Sequence, residues 1–148
     1  MQTLFDEATR STVLARIDRM QSGTAARWGK MNAEQMLAHL VQSLQMSSGE
    51  LPTKSKRLPI RFFPLKQLIV YLLPFPKGAP TARELIPGAN PGTVEENKRK
   101  LAQKITAFGA LANATSWPEH PAFGRLSARA WGVLTYRHVD HHLRQFGV

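Results

Sequence analysis

Eight of the ten prolines lie between Glu50 and Pro91. A proline has no backbone N–H and pushes the residue before it out of the helical region, so no single regular element can run through this stretch. The chain is therefore two arms joined by a long crossover, and each arm must find its own periodic structure.

Both arms read as helices. From about Asp6 to Met20, Val13, Leu14, Ile17 and Met20 recur at helical spacing before the Ser22-Gly23 stop. Asn32 and Gln35 form a capping-box pair ahead of Leu37, Leu40, Val41 and Leu44, and this second helix ends near Gly49. After the crossover, Thr93 and Glu96 make another such pair, followed by Val94, Leu101, Ile105, Phe108 and Leu111 on one side. Ser127 is the N-cap of a last helix reaching Phe146, with Trp131, Leu134 and Thr135 inward and Gly147 as the left-handed terminator. Inside the crossover, Pro64 to Leu73 can form a short helix stopped by Pro74. No segment alternates as a strand does. The expectation is all-α: a four-helix bundle over residues 1–148 as a single domain, the crossover letting the second and third long helices occupy opposite corners.

At 148 residues, 43% of them apolar, the chain can bury about two-thirds of its extended surface and needs no covalent staple. There is no cysteine, which removes disulfides, thiolate metal sites and a thiol nucleophile supplied by the chain itself. The formal charge of +10 favours anionic partners without choosing among them. Between Glu50 and Glu84 there is no acid, while Lys54, Lys56, Arg57, Arg61, Lys66 and Lys77 all occur. Such a segment reads as a cationic rim for an acidic substrate, as a phosphate-contacting patch, or as a solvated basic loop. Phe62, Phe63, Tyr71 and Phe75 accompany it, and the neighbouring leucines favour core packing or a dimer contact over base stacking. Residues 67–76, uncharged but broken by Pro74 and Pro76, are too short to span a membrane, and the first residues lack the pattern of a secretory leader, so the expected compartment is the cytoplasm.

Five histidines carry the chemical signal: His39, His120, His138, His141 and His142. His138 and His142, four apart, share one helix face with Trp131, Leu134 and Thr135. Two imidazoles turned into a core need partners, and a divalent cation satisfies both lone pairs. His39 is the candidate third ligand, because it lies beside the leucine stripe on a weakly polar flank with Met36, Ser43 and Met46. Three histidines would leave a coordination position open, as catalytic sites do. Spacing alone is equally compatible with chance, and His39 by itself reads more readily as a satisfied core or boundary residue than as a ligand.

The segments Trp28-Gly-Lys-Met-Asn-Ala-Glu-Gln-Met-Leu-Ala-His-Leu40, His120-Pro-Ala-Phe-Gly-Arg-Leu-Ser-Ala-Arg-Ala-Trp131 and Tyr136-Arg-His-Val-Asp-His-His-Leu-Arg-Gln-Phe-Gly147 resemble the DinB/YfiT-like superfamily of metal-binding bundles. Within it the chain is most similar to an uncharacterised family ending in His-x-x-His-His-Leu-x-Gln-Phe-Gly. The similarity runs from about Leu4 to the C-terminus and is least distinct from Glu50 to Pro91. The resemblance implies a four-helix bundle holding a divalent metal through one histidine of the second helix and two of the last, here His39, His138 and His142; imidazole ligands suit Zn, Ni, Fe or Cu. It also implies chemistry of the kind seen in thiol-dependent S-transferases and isomerases, with a low-molecular-weight thiol activated at the metal. The absence of cysteine suits an external thiol and suits hydrolysis equally.

The other polar residues keep two readings each. His141, about 100° around the helix from His142, is a flank residue or a substitute ligand. His120 binds local backbone or carries protons at the cavity mouth. Gln145, three after His142, orients a ligand ring or caps the pocket. Asp140 is placed for a solvent-side pair with Arg144, Tyr136 points off the ligand face, and no carboxylate is placed as a general base. The sequence thus supports a metal-dependent transferase or hydrolase acting on a small molecule. The competing class is a non-catalytic, metal-stabilised bundle, dimeric, that binds an anionic ligand or nucleic acid through the crossover.

Overall fold

Asn32, Thr93 and Ser127 each accept a backbone N–H from the third helical position, and Asn32 and Thr93 complete reciprocal capping boxes with Gln35 and Glu96. These bonds use up donors that a helix start would otherwise leave orphaned. In the computed structural model, which describes residues 1–56, 58–78 and 81–148, the chain is all-helical, and no strand occurs among the described residues. The four long helices are α1 (Glu7–Asp18), α2 (Ala33–Ser47), α4 (Val94–Ala110) and α5 (Ala128–Gln145). Gly147 takes φ +79° beyond α5, the left-handed conformation expected of it. No helix among the described residues is long and apolar enough to cross a membrane.

α1 and α2 each pack against both α4 and α5. Hydrogen bonds at the ends set the directions. The Leu4 N–H donates to the Gly132 carbonyl and Arg16 donates to the carbonyl of Val148, so α1 and α5 run the same way. Lys98, at the start of α4, reaches the Asp18 and Met20 carbonyls at the end of α1. Asn97 reaches Glu34 at the start of α2. α2 and α4 are therefore parallel neighbours, the most extensive helix pair in the molecule. The expectation that they occupy opposite corners is wrong. The physical need for a crossover is different: parallel neighbours oblige the chain leaving α2 to travel back its full 15-residue length, about 22 Å, before α4 can begin.

The returning segment carries a turn of helix, α3 (Leu65–Gln67), that widens into a π-helical turn over Leu68–Leu72 and stops before Pro74. It is tied to α5 by Arg137, whose guanidinium donates to the carbonyls of Ile69, Val70 and Leu73 and lies over the Phe75 ring. Two apolar clusters result. The main one unites Leu37, Leu40 and Leu44 of α2 with Leu101, Ile105 and Phe108 of α4 and Trp131 and Leu143 of α5. The second joins Val70 of the crossover to Phe123, Ala130 and Leu134. Phe75 and Tyr71 pack against this second cluster, but Phe62 and Phe63 are 70% and 80% exposed, which removes core packing, of the two alternatives core packing and dimer contact, for those two. Ile60, Ile69 and Val70 already occupy the inner side of the crossover, leaving the two phenylalanines on its outer side.

Removing either capping box by Asn32→Ala or Thr93→Ala should cost about 1 kcal/mol and lower the melting temperature by roughly 2–4 °C, as read by thermal denaturation followed by circular dichroism. An unchanged melting temperature in both variants would show that packing alone sets these helix ends.

Candidate metal centre

The flank of α2 beside its leucine stripe and the inner face of α5 meet at three imidazoles. His39 Nε2 lies 3.1 Å from His138 Nε2, and His142 Nε2 lies 3.2 Å from the same atom. His39, His138 and His142 each present a ring nitrogen within 4.8 Å of the other two, a grouping that could hold a metal ion. The i,i+4 step along α5 brings the last two together. The antiparallel course of α2 brings the first.

The outer nitrogens determine what the inner ones can do. His39 Nδ1 lies 2.7 Å from the Leu85 carbonyl, which can only accept, so the proton is on Nδ1 and Nε2 carries a lone pair. His142 Nδ1 lies 2.8 Å from Gln145 Oε1, while the Gln145 amide Nε2 donates to the Trp28 carbonyl. The same assignment follows for His142. Gly29, at φ +86°, makes this bridge possible, because a Cβ there would collide with the Gln145 amide. His138 Nδ1 lies 2.9 Å from Ser43 Oγ, a hydroxyl that can donate or accept. Two inward lone pairs thus face a third ring.

Burial keeps the cluster neutral. It pushes His142 down to about 3, helped by the nearby His39, and lowers His39 against the opposing effect of its Leu85 hydrogen bond. His138 is held well below the ordinary value, first by desolvation and then by the surrounding imidazoles. It is nonetheless not fully buried, because this deeply placed ring lines a cavity.

That cavity, about 1130 Å³, runs along α5 from Gln145 past His142, His138 and Thr135 to Trp131. Its walls are mainly apolar, with Met31 and Met46 on one side and Ile60, Leu73, Phe75 and Phe123 on another. The crossover is therefore its outer wall. Trp28 and Trp131 contribute to its lining, and their buried indole N–H groups have no acceptor among the described residues, each an unmet demand of about 1–3 kcal/mol.

The remaining sequence candidates divide clearly. His141 stands on the flank, edge-on to Trp28 and near Phe75, outside the three-ring cluster. His120 Nδ1 accepts the backbone N–H groups of Ala122 and Phe123, the local role foreseen for it. Gln145 orients His142. Asp140 pairs with Arg144 as expected and also with Arg16 at 2.7 Å, tying α5 to α1. Tyr136 donates to Gln2, away from the cluster. Of the basic crossover residues, Arg61 is engaged by Ser55, the Lys56 carbonyl and Glu119, Lys66 by the Arg125 carbonyl, and Lys77 lies over Trp28. Arg57 lies outside the described residues. Leu85 and Phe75 were not foreseen as site residues, and Ser43 was placed on the flank of His39 without its bond to His138. Ser43 had a signal, one turn beyond His39 on the same face; a backbone carbonyl from the crossover had none.

The chain belongs to the family described as "Protein of unknown function (DUF1569)", whose profile matches residues 5–147. No curated protein and no solved structure matches it.

Buried neutral histidines make a specific demand on pH. The unfolded chain binds protons near pH 6.5, but folded His120, desolvated, binds one only at about 4. Stability in chelator-treated protein should therefore be full above pH 6.5 and decline as the pH falls from there towards 5. Urea midpoints measured across that range test this, and midpoints that stay constant would contradict it.

Proposed function

We propose that this member of a family of unknown function is a divalent-metal-dependent enzyme, a four-helix bundle of the DinB/YfiT type in which His39, His138 and His142 hold the ion. The adjoining cavity takes a small-molecule substrate, and the nucleophile is water or a low-molecular-weight thiol. The supporting observation is the donor set. With His39 and His142 both protonated on their outer nitrogens, their lone pairs converge where His138 can offer a proton to at most one of them along a good line. A cation accepts all three. Ligand nitrogens about 2.0–2.1 Å from a tetrahedral ion stand about 3.3 Å apart, close to the separations of 3.1 and 3.2 Å seen here.

A bound Zn, Ni or Fe ion would supply a Lewis acid that lowers the pKa of a coordinated nucleophile, and three protein ligands leave it a position to do so. The chain's own residues do the rest. The Leu85 carbonyl, Ser43 and Gln145 fix the ring orientations, as outer partners of metal-bound histidines do. Met31, Met46, Leu73 and Phe75 keep bulk water from the reacting end. No Asp or Glu lines the cavity among the described residues, so His141, its ring centre 5.3 Å from that of His142, is the nearest group outside the triad able to take a proton. Lys30 and Lys56 in the cavity lining and Lys77 over Trp28 place cations along the cavity, which suits an acidic thiol arriving from solution. The chain itself has no cysteine to offer.

Protein purified without chelators should contain about one divalent ion per chain by elemental analysis, and His138→Ala should lose it. Gln145→Leu should remain folded with metal affinity reduced roughly 10–100-fold, because His142 then loses the acceptor that orients it. Stoichiometric metal retained by His138→Ala would overturn the site. Metal-dependent conjugation of an added thiol to a generic electrophile would select the transferase over the hydrolase.

A further inference from the structure

The outer side of the crossover is apolar where a protein surface is usually mixed. Beside the exposed Phe62 and Phe63 stand Leu72, 68% exposed, and the exposed Leu65 and Leu73. The Lys66 N–H donates to the Phe62 carbonyl, which holds the phenylalanines at the start of the turn that carries Leu65. Leu65 and Leu72, seven residues apart, lie on the side away from Val70, which is buried against Ala130 and Leu134 of α5. The two phenylalanines alone leave about 300 Å² in water, and with the leucines the patch reaches the size that marks an interaction site on a monomer. A basic rim adjoins it. Arg61 donates to Ser55, the Lys56 carbonyl and Glu119. Lys66 donates to the carbonyl of Arg125, whose own side chain is 93% exposed. Lys56 is tied through its backbone to Pro121, and Lys54 through its backbone to Glu84. These five cations have two carboxylates among them, Glu84 and Glu119, which leaves a net +3 beside the apolar patch.

We propose that the outer side of the crossover docks on an anionic lipid surface, with Phe62, Phe63, Leu65 and Leu72 entering the boundary between headgroups and acyl chains, and Lys66 and Arg125 against the lipid phosphates. Interfacial binding needs both components, apolar area to bury and cations for an anionic leaflet. Chemistry separates this occupant from the others. A second copy seated face to face would press two cationic rims together, and like charges brought into contact oppose association. A nucleic acid would satisfy the cations and stack on the phenylalanines, but it has nothing to set against Leu65, Leu72 and Leu73, side chains without a π-face. A bilayer accepts both kinds of group. The association is peripheral, since no helix among the described residues is long and apolar enough to cross a membrane. Leu73 also lines the cavity, so docking sets the outer wall of the cavity against the lipid. No residue of the triad takes part, and the surface stands whether or not a metal binds.

The test is co-sedimentation of the purified chain with vesicles of phosphatidylcholine alone and of phosphatidylcholine with about one-third phosphatidylglycerol, at about 0.15 M salt. The anionic vesicles should bind at least about tenfold more tightly. Phe62→Ser with Phe63→Ser keeps every charge and should weaken that binding about tenfold or more. Lys66→Gln with Arg125→Gln should weaken it by a similar factor. Arg99→Gln with Lys100→Gln removes the same charge from exposed positions of α4, which packs against α1 and α2, and should leave binding within about twofold. The helical circular-dichroism signal should match the parent throughout; should the phenylalanine pair not fold, Leu65→Ser with Leu72→Ser decides in its place. Binding to neither vesicle, equal binding to both, binding that survives loss of the apolar side chains, or equal losses from the α4 pair and the rim pair would each overturn the surface. A dimer in sedimentation velocity that Phe62→Ser with Phe63→Ser dissolves would give the patch to a second copy, and a single-stranded oligonucleotide held through the same phenylalanines in preference to vesicles would give it to nucleic acid. Metal content, measured separately, decides the enzyme, and neither result bears on the other.

Discussion

Two ring protons that point away from the centre set the arrangement of the histidine cluster. The Leu85 carbonyl takes one from His39 and the Gln145 amide oxygen takes the other from His142. What remains inside is electron pairs facing electron pairs, an arrangement that ordinary core packing avoids because unmet polar groups in a desolvated place are costly. The rest of the site follows from holding those rings still: Gly29 admits Gln145 to the Trp28 carbonyl, and Ser43 steadies the ring between the other two.

The crossover serves topology and chemistry together. Because α2 and α4 run parallel, the chain has to return along the molecule, and the return is made over the face of α5 that carries the histidines. A segment so rich in proline cannot fill that space as a helix would, and the incomplete filling leaves a cavity instead of a solid core. Arg137 pins this wall through three carbonyls that the broken helical turns leave free. The same segment delivers Leu85 to His39, so the loop that encloses the cavity also sets the tautomer of a candidate ligand.

Much of this was legible beforehand, and the reason is local. A capping box needs residues three apart, a shared helix face needs residues four apart, and a left-handed terminator needs a glycine, so Asn32, Thr93, Ser127, His138 with His142, and Gly147 could be assigned from the chain alone. The pairing of α2 with α4 could not, since amphipathic helices of similar length accept several neighbours with little difference in buried area. Nor could the chain alone choose between core packing and a dimer contact for its crossover aromatics: hydropathy does not say which side of an irregular segment faces inward, and Tyr71 and Phe75 pack while Phe62 and Phe63 are exposed.

The amino-acid sequence by itself determined that this is an all-helical chain, with three histidines on faces that can turn inward and no thiol of its own. Only the tertiary structure decided that the three rings share one point, which outer nitrogen of His39 and His142 holds the proton, and that the crossover walls a cavity beside the triad. The division has a physical basis. Helix periodicity and capping are short-range and written in neighbouring residues, whereas tautomers, cavities and unmet donors depend on groups far apart in the chain, such as the 46 residues between His39 and its Leu85 acceptor, and exist only once packing has placed them.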